Sequence, residues 1–176
     1  MRFESRQRIQ GTVDEVERAM LDPRYPEFLL KHHGVLLEVQ PLEIKDEGEK
    51  VRRKVRYRPK PVIASIGPKK VPPEWFAFVE TSTYDRSSKT LTFENVPTTG
   101  KIANLLKNSG TLRLRDAGGG VTERVVEGDI AVKLPFLMKP LALIAERVIQ
   151  SEGQKLLDGE VNVLNRFIAE VVRKSA

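Results

Sequence analysis

The sequence predicts an α+β fold in which an antiparallel meander of about six strands is followed by one long helix, and three observations carry that prediction. Stretches of alternating, β-compatible residues recur between turn-forming clusters from residue 2 to residue 134. After Pro135 the apolar spacing becomes helical, placing Leu141, Ile144, Val148, Leu157, Val161, Leu164, Ile168 and Val171 along one side of a segment from about Pro140 to Lys174. The 176 residues suit a single domain, 1–176, with one sizeable core that both parts must share.

The elements follow in order. Residues 2–10 alternate, with Phe3, Ser5, Gln7 and Ile9 on one side, and stop at Gly11, which marks a first strand and its turn. Thr12 and Glu15 have the spacing of a capping box, and Val13, Val16, Ala19 and Met20 share one face of a short helix that ends before Asp22-Pro23. A second short helix, about Pro26 to His33, is expected to close on Gly34 as its C-cap. Val35 to Ile44 and Lys50 to Arg58 form a hairpin about the polar turn 45–49. Residues 59–73 hold five prolines and one glycine around Val62, Ile63, Ala64 and Ile66, which predicts a long loop and no central strand. Trp75 to Tyr84 and Lys89 to Val96 make a second hairpin. Residues 97–109 are expected to be a connection with a helical turn at Ile102 to Leu106. Thr111 to Arg115 and Val121 to Leu134 flank a glycine-rich turn as a third hairpin. In the long helix Pro140 suits the first turn, whereas Gly153 and Gly159 each cost about 1 kcal/mol against alanine and call for a reason. The reason is either a kink or surface position, or the close approach of sheet or ligand.

Composition narrows the chemistry. The chain has no cysteine, which removes disulfides, thiolate metal sites and a cysteine nucleophile, and its only two histidines are adjacent, His32 and His33. They are read as cations at a helix C-terminus, not as metal ligands, and neither a metal nor a cofactor is expected. No stretch approaches the roughly 20 apolar residues of a membrane span, and the amino-terminal residues lack the apolar core of a secretory signal, so the expected location is the cytoplasm. Nucleotide-binding, serine-hydrolase and zincin motifs are missing. The net charge of +6 is concentrated: Lys50, Arg52, Arg53, Lys54, Arg56, Arg58, Lys60, Lys69 and Lys70 fall between residues 50 and 73 with no acidic residue among them. The acidic neighbours Glu15 and Glu17, and Asp46 and Glu47, read as solvated charge.

The order of strand, two short helices, about six antiparallel strands and one long C-terminal helix resembles the START-like (SRPBCC) superfamily, which includes birch-pollen-allergen-like proteins and polyketide cyclases. Within it, Arg24-Tyr25-Pro26 followed by Val35-Leu36-Leu37-Glu38-Val39, together with Ser88-Lys89-Thr90-Leu91-Thr92, is similar to patterns of the PRELI-type phospholipid-transfer proteins. The chain also resembles a bacterial START-like family of unknown function. The resemblance implies a helix-grip fold, a curved antiparallel sheet of six or seven strands around the long helix, with a cavity between them for a hydrophobic ligand.

Strand alternation then selects candidate contacts. Val51, Arg53, Val55 and Tyr57 share a face, and Arg124 shares one with Thr122, Val126, Ile130, Val132 and Leu134. An inward guanidinium has to meet a carboxylate or an anionic headgroup, and two of them in one sheet would form an anion site. Strand 75–84 turns in either Trp75, Ala77 and Val79 or Phe76, Phe78 and Tyr84. The candidate ligand contacts are Arg53, Val55, Tyr57, Trp75, Phe78, Arg124, Ile130, Met138, Ile144 and Val148. Arg58, Lys60, Lys69 and Lys70, flanking an apolar loop tip, are candidates for transient contact with an anionic membrane surface.

Three functions compete. The first is binding, with transfer as an extension, of a lipid or another hydrophobic or amphipathic small molecule. The second is a cyclase- or dehydratase-like enzyme using the same cavity, for which Tyr57 and Tyr84 are the available acid-base groups. The third is docking of nucleic acid or an acidic protein along the 50–70 stripe, disfavoured for nucleic acid because no recognition motif is present. Oligomeric state has no sequence signal.

Overall fold

The computed structural model describes residues 1–61, 65–66, 69–70, 72–100, 104–133 and 139–175. The elements are β1 (Arg2–Ile9), α1 (Val13–Leu21), α2 (Tyr25–His32), β2 (Leu36–Asp46), β3 (Lys50–Pro59), the two-residue strands β4 (Ser65–Ile66) and β5 (Lys69–Lys70), a 3-10 turn (Pro73–Phe76), β6 (Phe78–Asp85), β7 (Thr90–Pro97), β8 (Leu106–Asp116), β9 (Thr122–Val132) and α3 (Lys139–Phe167), which runs into one π-helical turn, Ile168–Val172. Seven strands pair antiparallel in the order β1-β9-β8-β7-β6-β3-β2, and β4 and β5 pair with each other alone.

Register places one set of side chains on the inner face. Val51, Arg53, Val55 and Tyr57 of β3 lie opposite Tyr84, Ser82, Glu80 and Phe78 of β6. Those residues lie opposite Leu91, Phe93, Asn95 and Pro97 of β7. Across β8 and β9 the rows continue to Gly128 and Ile130, and across β1 they end at Phe3 and Ser5. Gly110 and Gly128 face one another, and a Cβ on either would fall within 3 Å of the Phe93 or Phe3 ring as well as of the neighbouring strand's backbone. Only glycine permits this close approach.

The long helix grips this face unevenly. Val163, Leu164 and Phe167, with Ile168 of the π turn, are buried against Ile9, Val16, Ala19 and Leu29. Phe167 meets Tyr25 and Phe28 edge-on at 5.3 and 5.0 Å. Towards its start the helix is tied by Glu146, whose Oε1 accepts a 3.0 Å bond from the Val132 N–H at the end of β9. Leu143 is 59% exposed.

Several sequence expectations meet the structure here. The capping box forms, with the Thr12 Oγ1 accepting from the Glu15 N–H at 3.3 Å and Glu15 Oε2 accepting from the Thr12 N–H at 2.8 Å. Gly34 is not the C-cap of α2; His33 closes the helix, its N–H donating to the Leu29 carbonyl. Gly159 proves to be a close-approach position, because a Cβ there would lie 2.8 Å from the His33 Nε2, the atom that meets the Leu156 carbonyl at 2.9 Å. His33 is therefore packed against α3 and not held out in solvent at the helix end. The expected helical turn at 102–106 is corrected at its end: Leu106 opens β8, where Leu106, Asn108, Leu112 and Leu114 alternate as a strand does, and 102–103 lie outside the described residues. Trp75 sits in the 3-10 turn, not in a strand, since Pro72 and Pro73 hold the chain in a tight turn before β6. Of the two faces open for this segment, the one carrying Phe78 and Tyr84 points inward.

Candidate ligand cavity

Where α3 stands away from the sheet, a cavity of about 580 Å³ opens between them. Its walls are largely apolar: Phe3, Phe76, Phe78, Phe93, Leu106 and Ile130 come from the sheet side, and Val148, Ile149, Leu156 and Leu157 from the helix. Trp75, 41% exposed, stands at its edge with Val35 and Pro61. Gly153 lines it too, and a Cβ there would meet nothing within 4 Å, so this helical glycine leaves room over the cavity. The charged lining groups among the described residues stay near water. Glu4, Lys60 and Lys155 are exposed, and Glu152 pairs with Lys155 at 2.7 Å.

A smaller cavity of about 100 Å³ lies beside it, sharing Phe93 in its wall and lined by Tyr25, Arg53, Val55, Tyr57, Glu80 and Glu160. The Tyr57 ring stacks on Phe78 of the larger cavity, centroids 5.4 Å apart and planes 25° from parallel. Arg53 points inward as its alternation requires. Its Nη1 donates to the Met20 carbonyl at 2.9 Å, while its Nε is buried without a partner among the described residues. Burial pushes the Glu80 carboxyl above its ordinary value against the opposing pull of the Arg53 guanidinium. Burial likewise pushes the Tyr57 hydroxyl far up, so it stays protonated.

Arg124 is inward and completely buried, but its partners belong to the scaffold. Nη1 donates to Glu160 Oε2 at 2.7 Å, Nε to Gln7 Oε1 at 2.9 Å and Nη2 to the Leu157 carbonyl at 3.0 Å. The two inward arginines therefore do not combine into an anion site: one is neutralised by the helix, the other lines the smaller cavity. Val55 lines that smaller cavity and is otherwise core. Trp75, Phe78, Ile130 and Val148 come together in the larger one. Met138 and the side chain of Ile144 lie outside the described residues, as do the side chains of Lys69 and Lys70. Arg58 pairs with Glu38 at 3.3 Å and with Glu74 at 3.8 Å, and Lys60 Nζ donates to the Gly34 carbonyl at 2.6 Å. Among the described residues no group of three or more His, Asp or Glu side chains is placed to hold a metal, and no helix is long and apolar enough to cross a membrane.

Sequence reasoning missed a polar row across the inner face. Glu80 lies opposite Asn95, and Asn95 opposite Asn108. Both asparagines line the larger cavity, and the Oδ1 of each is buried without a partner among the described residues. The available signal was Asn95 in step with Leu91 and Phe93. It also misread Glu17, which is not solvated charge but accepts the Tyr84 hydroxyl and the Lys89 ammonium, each at 2.7 Å.

A long helix held in a seven-stranded antiparallel sheet, with two short helices after the first strand, defines the class: this is a helix-grip fold. The sequence narrows this further, because residues 4–168 match the family described as "Protein of unknown function (DUF2505)", and the chain belongs to that family. No curated protein matches it. Among solved structures it is similar to the Zhui aromatase/cyclase of a Streptomyces species, with a TM-score of 0.66, 13% identity and coverage of 100% of this chain and 98% of that one. A Thermus thermophilus protein gives a TM-score of 0.63 at 16% identity, over 93% and 97% of the two chains. Norcoclaurine synthase of Thalictrum flavum, in complex with a transition-state analogue, gives 0.62 at 13% identity, over 97% and 94%. At these identities the likeness is one of fold.

Proposed function

We propose that the chain is a single domain that binds a hydrophobic small molecule in the cavity between the concave sheet and α3. The supporting observation is the cavity itself, about 580 Å³ with aromatic and aliphatic walls and its charges kept to the exposed edge. The similar folds of an aromatase/cyclase and of a norcoclaurine synthase that was solved in complex with a transition-state analogue support this reading. Titration with the neutral dye Nile red tests it. Emission should rise with the wild-type protein and fall away in Gly153→Phe, which fills the space over the cavity from the helix side. No rise with the wild type, or equal emission from both, would overturn it.

A second reading, a cyclase-like enzyme, draws on the smaller cavity. Glu80, whose pKa is raised, lies beside Arg53 and Tyr57, and the ring stack with Phe78 connects that group to the ligand space. Glu80→Gln and Tyr57→Phe should then abolish turnover of a polyphenolic or polyketide-like substrate while leaving Nile red binding intact. Lipid transfer is the finer form of the binding reading and draws on the basic stripe. Arg58 and Lys60 already have partners within the protein, so its test falls on the other two candidates: Lys69→Glu with Lys70→Glu should weaken binding to anionic liposomes at low salt, and unchanged binding removes the docking role.

A further inference from the structure

We infer that the cavity selects an apolar molecule carrying a neutral hydrogen-bonding group, a hydroxyl or carbonyl, which the facing amides of Asn95 and Asn108 receive. The inference rests on the ligand-binding reading above and adds the chemistry of the head group. Buried amide oxygens are nearly always hydrogen-bonded, and the cost of an unpaired one makes two on adjacent strands an arrangement that calls for a partner. Asn95 and Asn108 lie directly opposite one another in β7 and β8, line the same cavity, and each leaves its Oδ1 buried and unpaired among the described residues. Turning either amide about its last torsion exchanges oxygen for nitrogen within nearly the same volume. The pair therefore offers both donors and acceptors to one incoming group. Ile130 stands beside Asn108, Phe93 and Pro97 lie two residues either side of Asn95, and the ionisable neighbour in the row is the carboxyl of Glu80 opposite Asn95, which would repel an anion.

What the cavity lacks among the described residues decides the charge. Of these, the inner cations lie elsewhere: Arg124 is taken by Glu160, and Arg53 lines the smaller cavity near Glu80. Lys60 and Lys155 are exposed at the edge. A carboxylate carried to the asparagines would be desolvated without a counter-charge, whereas a hydroxyl or carbonyl gives up far less hydration and gains the orphaned amides. Fatty-acid anions and other molecules with a buried ionic end are thereby disfavoured.

Isothermal titration calorimetry at neutral pH with β-naphthol, β-naphthoate and naphthalene tests this on one apolar body. β-Naphthol should bind the wild-type protein about tenfold more tightly than β-naphthoate, a difference set by burying the charge. In Asn95→Leu with Asn108→Leu it should lose its advantage over naphthalene, whose own binding also reports that the cavity has survived. β-Naphthoate binding the wild type as tightly as β-naphthol overturns the inference whether or not the variant folds. So does a single Asn95→Ala or Asn108→Ala variant, folded by circular dichroism, in which β-naphthol and naphthalene keep their wild-type ranking together with the double variant. If none of the three binds, the ligand-binding reading itself fails and the inference falls with it.

Discussion

The two ends of the inner sheet face are built from the same strands and covered by the same helix, yet one is filled and the other open. At the end covered by α1, α2 and the last turns of α3, Ile9, Val16, Leu164, Phe167 and Ile168 are completely buried. At the other end the helix carries Val148 and Gly153 over a cavity walled by Phe78, Phe93 and Ile130. The difference comes from what fills the wedge between sheet and helix: two short helices at one end, no counterpart among the described residues at the other. Packing density in this molecule is thus decided by local insertions between β1 and β2, and dense packing and open space are assigned to opposite ends of one element.

Substitutions can break this contrast. The largest losses are expected at the filled end: Glu160→Leu, which leaves the fully buried Arg124 guanidinium without its counter-charge, should cost about 3–5 kcal/mol, read by urea denaturation. Phe167→Ala at the filled end should cost about 3–5 kcal/mol, whereas Phe78→Ala, whose ring already borders open space, should cost about 1 kcal/mol and chiefly weaken Nile red binding. Equal losses for the two phenylalanines would erase the distinction between the ends.

Smaller effects sharpen it. Well below the ordinary carboxyl pKa of 4.5, Glu80 is protonated in folded and unfolded chains alike. As the pH rises above that value, the unfolded chain ionises while the folded one holds the proton, so the group lowers stability increasingly until its raised folded pKa is passed. Glu80→Gln should therefore leave the melting temperature unchanged in acid and raise it progressively towards neutrality. A uniform shift at all pH values would mean a packing effect instead. The smallest change, Gly153→Ala, should stabilise by about 0.5–1 kcal/mol through helix propensity, because its Cβ meets open space, and should leave Nile red binding intact.

Much of this architecture was legible in the chain because it depends on near neighbours. The alternation of Val51, Arg53, Val55 and Tyr57 gave the inner face of β3, and Thr12 with Glu15 gave the start of α1. What escaped depends on register between distant strands. Glu80, Asn95 and Asn108 form a row only because β6, β7 and β8 pair as they do, and apart from Asn95, in step with Leu91 and Phe93, these stretches do not mark themselves as polar on the inside. Arg124 shows the same limit. Its inward direction followed from its strand, whereas Glu160, its partner on α3, was set by how the helix crosses the sheet. The expected connection 97–109 gives way at its end to β8, which opens at Leu106, and Gly110 is the residue that lets β8 pass close to β9.

Trp75 is the only tryptophan of the chain, and it stands half in water at the edge of the apolar cavity. The protein consequently carries its own optical reporter, with no second indole to blur the signal. A non-absorbing guest that displaces water from this edge should move the emission to shorter wavelength and reduce its quenching by iodide, so occupancy can be followed in the unlabelled wild-type chain.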